Sequence, residues 1–191
     1  MASWTEPRDW TTGELVTASI MNTYVRDNQK AVKGMVKFSL PASAWVPADT
    51  NGPGGPLKEE YTNFAAYYLA FDDTTDEHAY ATLRVPAGWQ SRQATVEVGW
   101  KTSATPGSAR WQVDYISIGD DDPWDAASFT SGGGVTSAAK AAGDDLVLAT
   151  INFTPTTSAG DMLVLRLSRD ADHGDDDLSG DAEFLHLFAE I

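Results

Sequence analysis

The sequence predicts a mainly β protein: an antiparallel, jelly-roll-like β-sandwich preceded by an extended arm and one short α-helix. Three observations carry this expectation. Beyond residue 34 the apolar residues recur with a period of two instead of 3.6. Clusters of Gly, Pro, Ser and Asp punctuate these alternating stretches, as turns between short strands do. No helical pattern intervenes between them, which argues against a parallel sheet with crossover helices. The chain of 191 residues suits one domain with an appendage, here residues 1–34 as arm and helix and 35–191 as sandwich.

In the arm, Pro7 and Gly13 break regular structure, and Trp4 and Trp10 are large apolar groups that so short a segment cannot bury alone. Thr17 reads as an N-cap for a helix over residues 18–33. Met21, Val25 and Val32 form a stripe with Ile20 and Tyr24 beside it, Asn28 interrupts it, and Gly34 ends it. A helix this short is marginal by itself in water, so it needs a packing surface, either its own sandwich or another chain.

Val36, Phe38 and Leu40 then alternate, and the breaker-rich stretch from Pro47 to Pro56 reads as a loop. Strands are expected at 61–71, 79–85, 94–101, 109–118, 146–153, 162–169 and 183–191. Alternation is clearest at Val96, Val98, Trp100, at Trp111, Val113, Tyr115, and at Leu163, Leu165, Leu167. Gly132-Gly133-Gly134 reads as a turn, and residues 125–144 as a loop or short helix crossing between sheets. In the last strand both alternating sets are largely apolar, so Phe188 is expected to be covered, by a neighbouring subunit or by a helix or loop.

The formal net charge of −15 repels phosphate backbones and argues against nucleic-acid binding. No apolar run approaches the roughly 20 residues of a membrane span, and no signal peptide opens the chain. With no cysteines, disulfide frameworks and thiolate zinc sites are excluded.

The segment from Trp10 to Asn28, with Val16-Thr17-Ala18, Asn22 and Arg26-Asp27-Asn28, resembles an N-terminal motif of many tailed-phage structural proteins. Residues 79–89 and 163–170 look like strands of the β-domain that often follows it. The resemblance implies a non-enzymatic virion-surface protein, a tail fibre or capsid decoration. Its expected partners are itself, as a homotrimer, other virion proteins and a host-surface glycan. Trp4, Trp10, Ile20, Met21, Tyr24, Val25, Arg26, Asp27, Asn28 and Phe188 would serve docking and oligomerisation. Asn28 could fix register between symmetry-related helices.

Catalytic signatures are missing. His78, His173 and His186 fall in unlike contexts, and no nucleophile elbow, phosphate-binding loop or zinc-helix motif occurs. Glu97 and Asp114 are the one carboxylate pair inside strands to weigh for glycan hydrolysis. The acidic loop from Asp170 to Asp177 fails the EF-hand pattern, since Gly174 replaces a ligand, and reads as solvated. No metal or cofactor is expected. Trp45, Trp89 and Trp124 are candidate glycan contacts, because an exposed indole can stack on a sugar ring. They support an alternative function, a stand-alone carbohydrate-binding β-sandwich, with a glycan hydrolase further behind.

Overall fold

The computed structural model describes residues 5–6, 8–29, 37–86, 93–125, 128–141 and 143–190. Among them eleven strands follow one turn of helix. They are β1 (Lys37–Pro41), β2 (Val46–Pro47), β3 (Gly54–Glu60), β4 (Ala65–Phe71), β5 (Glu77–Arg84), β6 (Ala94–Lys101), β7 (Ser108–Ile118), β8 (Thr130–Ala138), β9 (Val147–Phe153), β10 (Met162–Arg169) and β11 (Ala182–Glu190). Two antiparallel sheets result. One has the order β3-β4-β11-β6-β9, with β1 sharing the β4 edge of β11; the other runs β2-β5-β10-β7-β8. The expected β-sandwich is therefore present.

Alternation dictates which face each strand buries. Val96, Val98 and Trp100 on β6 face Trp111 and Val113 on β7, and Leu165, Leu167, Phe71, Phe184 and Leu187 fill the space between the sheets. Trp111 packs edge-on against Phe71 with ring centroids 5.2 Å apart, and tilted against Trp100 at 5.9 Å. Such aromatic pairs add ~0.5–1.5 kcal/mol beyond the area they bury.

Two strands occupy stretches expected to be irregular. The first, β3, begins inside the Pro47–Pro56 segment: Asn51 at φ +57° and Gly55 at φ +125° make the turns, and the register with β4 shifts between Gly54 and Leu57. The second, β8, contains the glycine triplet. Glycine is required there by proximity, because a Cβ on Gly132 would lie 2.7 Å from the Val113 carbonyl oxygen and 3.1 Å from the Phe153 ring. A Cβ on Gly134 would likewise lie 2.7 Å from the Trp111 carbonyl. Gly132→Ala should therefore destabilise the fold by ~1–3 kcal/mol, the range of an overpacked core. Gly174→Ala, with nothing within 4 Å of the added carbon, should be near neutral. Thermal melts of both variants check this.

The C-terminal strand corrects the expectation of double burial. A register shift between Phe184 and His186 changes the phase of β11, so Phe184, Leu187 and Ala189 reach the core on either side of the shift. Phe188 lies on the outer face, half-buried, with the Lys37 ammonium 5.9 Å from its ring centre. The apolar run reflects a bulge, not a strand enclosed on both faces.

The arm is linked to itself. Thr17 caps the helix as expected, its hydroxyl accepting from Ile20 N; one α turn (Ala18–Met21) then widens into π geometry over Asn22–Asp27. Asn28, 7% exposed, accepts from Thr5 N and donates to Thr5 O, both at 2.8 Å. The Asn28 amide is thus engaged within the chain, tying the start of the arm to the end of its helix. Arg8 pairs with Glu14 and lies 5.4 Å from the Trp10 ring centre and 5.8 Å from that of Tyr24. Arg26 pairs with its neighbour Asp27. Trp10 and Met21 stay largely exposed, while Ile20, Tyr24 and Val25 are half-buried. Trp4, Val32 and Gly34 fall outside the described residues.

Candidate functional site: an aromatic groove over a buried ion cluster

At one end of the six-stranded sheet, facing away from the core, lies a groove of about 570 Å³ lined by Tyr61, Phe64, Tyr67, Lys101, Asp144 and His186, among others. Its aromatic wall is a product of the β3–β4 turn. Thr62 and Asn63 form the tip, Tyr61 N donates to Phe64 O at 2.8 Å, and the closure stacks the two rings with centroids 4.6 Å apart and planes 22° apart. Phe64 is 63% exposed. An aromatic of this size left in water at the rim of a cavity is a binding surface in search of a flat apolar partner.

The floor is ionic. Lys101 ends β6 on the outer face, opposite Trp100, yet its side chain is only 5% exposed. Its ammonium lies 3.0 Å from Glu59 and 3.0 Å from Asp144 and also pairs with Glu183, while the Tyr61 and Tyr68 rings stand 5.9 Å and 5.8 Å away. Burial by itself would lower the Lys101 pKa. The hydrogen bonds to Glu183, Asp144 and Glu59 outweigh that and raise it, so the ammonium is permanently charged. The Tyr61 hydroxyl donates to Glu59, which lowers the Glu59 pKa; burial raises that of Tyr61. Asp144 is held in place by its backbone, whose N–H donates to Thr102 O at 2.7 Å. On the opposite wall burial lowers the pKa of His186, and its Nε2 lies 2.5 Å from Ser39 Oγ. The arrangement offers ring faces for stacking and carboxylate oxygens that accept hydrogen bonds.

The sequence-level candidates are placed elsewhere. Trp45 is 2% exposed, edge-on to Phe184, with its indole N–H donating to Leu40 O, so it has no face to offer a sugar. Trp124 is 66% exposed in the acidic loop after β7 and is not among the residues that line the groove. Trp89 is outside the described residues. Glu97 and Asp114 sit on different sheets, and Asp114 is buried in an ion pair with Arg166 and a hydrogen bond from Gln112, so they form no catalytic pair.

The acidic loop is only partly solvated. Asp176 is buried against Arg169 and accepts from Arg110 N, and Asp177 accepts from Ser108 N. Asp170 and Asp172 meet Asp76 from the β4–β5 loop, with carboxylate oxygens within 4.8 Å of one another. Burial, reinforced by Asp76, raises the Asp170 pKa. A second depression of about 570 Å³, near Arg84, Asp120 and Asp161, has no aromatic side chain among the described residues that line it. An apolar one beside Phe38 and Phe153 has room for only about 10 Å³.

No protein-family model and no curated protein matches the chain. Solved structures do. A family 35 carbohydrate-binding module from Clostridium thermocellum superposes with TM-score 0.50 at 12% identity, covering 81% of this chain and 97% of that one. A second family 35 module, from an environmental isolate, gives 0.50 at 9% identity, with 78% and 90% covered. The isomalto-dextranase of Arthrobacter globiformis T6, complexed with panose, gives 0.51 at 14% identity over 82% of this chain but only 23% of the enzyme. What these proteins share with the chain is the two-sheet sandwich. The neighbours are carbohydrate-binding modules and a sugar-acting enzyme, not virion components, and this overturns the expected tail-fibre or capsid-decoration function. The expected trimer and virion partners likewise find no support in them.

The sequence missed Tyr61, Phe64, Lys101, Asp144 and His186 as site residues. Tyr61 and Phe64 were subsumed in one strand, although the intervening Thr-Asn is a turn signal. Lys101 was visible as an outward lysine in an acid-rich chain, but its three partners come from separate strands and loops.

Proposed function

We propose that the chain is a carbohydrate-binding module without catalytic activity, and that the Tyr61–Phe64 groove is its glycan site. The observation that carries this is the exposed Phe64 ring, stacked on the half-buried Tyr61 and sharing the groove with the carboxylate of Asp144. Apolar sugar faces pack on rings and sugar hydroxyls bond to carboxylates, so the two features together suit a glycan. The sandwich it shares with carbohydrate-binding modules supports the same reading. Calorimetric titration with panels of oligosaccharides should find a binding glycan. Phe64→Ala should weaken it about tenfold or more, as removal of an aromatic anchor worth ~2 kcal/mol does. Trp124→Ala should bind as the parent does. Undiminished binding by Phe64→Ala, or its loss in Trp124→Ala, would place the site elsewhere.

A further inference from the structure

The charges under the groove also bear on which glycan it takes. Lys101 is the cation of the floor, and it is surrounded: three carboxylates and two tyrosine rings enclose an ammonium with three protons to donate. With 5% of its side chain exposed, it has little to offer a ligand. One ammonium against Glu59, Asp144 and Glu183 leaves the cluster at a formal charge of about −2. Of the three acids it is Asp144, 58% exposed and lining the groove, that presents negative charge to a ligand. His186 on the far wall has its pKa lowered by burial and its ring nitrogen engaged by Ser39.

On the reading of the groove as a glycan site, we propose that it selects amino sugars with a free, protonated amine and rejects uronates and sulfated sugars. An ammonium on the ligand would meet the same surroundings that already hold Lys101: aromatic faces and carboxylate oxygens. A carboxylate or sulfate would face Asp144, and among the described residues lining the groove the only Lys or Arg is the already paired Lys101. The chain's net charge of −15 draws cationic ligands and repels anionic ones at longer range.

The test uses the full chain and three oligosaccharides of equal length, titrated at about pH 6, where the sugar amines are charged. They are a β-1,4-glucosamine oligomer, its N-acetylated counterpart and an oligogalacturonate. The free-amine oligomer should bind at least tenfold more tightly than the acetylated one at low salt. That preference should shrink at high salt, and the galacturonate should be the weakest of the three. Asp144→Asn should cut the amine preference several-fold. Phe64→Ala, which leaves the net charge unchanged, should lose binding of the free-amine oligomer and so separate the groove from attraction to an acidic surface. Equal binding of the acetylated and free-amine oligomers, or galacturonate binding as tightly as either, overturns the selectivity while leaving a glycan site. Free-amine binding unaffected by Phe64→Ala overturns it too. Failure of all three ligands to bind, with no other oligosaccharide bound, overturns both selectivity and site.

Discussion

Arg169→Met should lower the melting temperature by about 10 °C or more, from a loss of ~3–5 kcal/mol typical of breaking a buried ion pair. Arg169 is 0% exposed, and its guanidinium makes a two-point bond to Asp176, Nε to Oδ2 at 3.0 Å and Nη2 to Oδ1 at 2.8 Å. It also donates to the carbonyl oxygens of Phe71, Leu178 and Gly180. One side chain at the end of β10 thereby ties the end of β4 and the loop before β11 together. Methionine fills a comparable volume but leaves the buried Asp176 with Arg110 N–H and no cation, and removes a donor from the carbonyls of Phe71, Gly180 and Leu178, the last of which keeps Gly180 N–H. Arg169→Lys keeps the charge without the planar fork and should fall between the two. A melt of Arg169→Met within two or three degrees of the parent would show that the clamp contributes little.

Lys101→Met should be nearly as costly and should weaken a pH trend. Removing the ammonium leaves Glu59, Asp144 and Glu183 facing one another. The loss should fall toward the lower end of the ~3–5 kcal/mol of a broken buried pair, because Asp144 and Glu59 reach water and are partly screened. In the parent the Glu59 pKa is lowered, by the Tyr61 hydrogen bond first and by Lys101 after it. This contribution is full above the ordinary glutamate range and fades as pH falls through and below it. Without Lys101 the Tyr61 hydrogen bond still lowers the Glu59 pKa, but the Lys101 contribution is gone and the carboxylates repel one another. Less stability is then gained as pH rises through the carboxylate range. Thermal melts of both proteins from about pH 3 to 7 should therefore show the deficit of Lys101→Met narrowing toward acid. A deficit independent of pH would mean that Lys101 acts through packing alone.

The fold was legible where one face of a strand meets the core, because the core residues then repeat every second position. β6, β7, β9 and β10 follow this rule and lie within a residue of the expected bounds. β3 and β8 were not legible, for opposite reasons: β3 packs little of its length into the core, and β8 has glycines where close backbone approach forbids side chains. The ion cluster and the Arg169 clamp were illegible on principle. Each joins residues far apart in sequence, and no local pattern distinguishes Asp176, buried and paired, from Asp175 beside it, which is exposed. The tryptophans misled because residue type says nothing about depth: Trp45 lies in the core, whereas Phe64, less conspicuous in the sequence, stands exposed at the groove.

The central claim, that the glycan is bound by the groove on the six-stranded sheet, is tested most directly by a nitrogen–proton correlation titration of the labelled chain with the tightest-binding oligosaccharide. The account predicts shifts concentrated at residues 61–67, at Lys101, and around Asp144 and His186, with the Trp124 indole N–H resonance unmoved. Shifts centred on Trp124, or on the outer face of the sheet that contains β5 and β10, would contradict it.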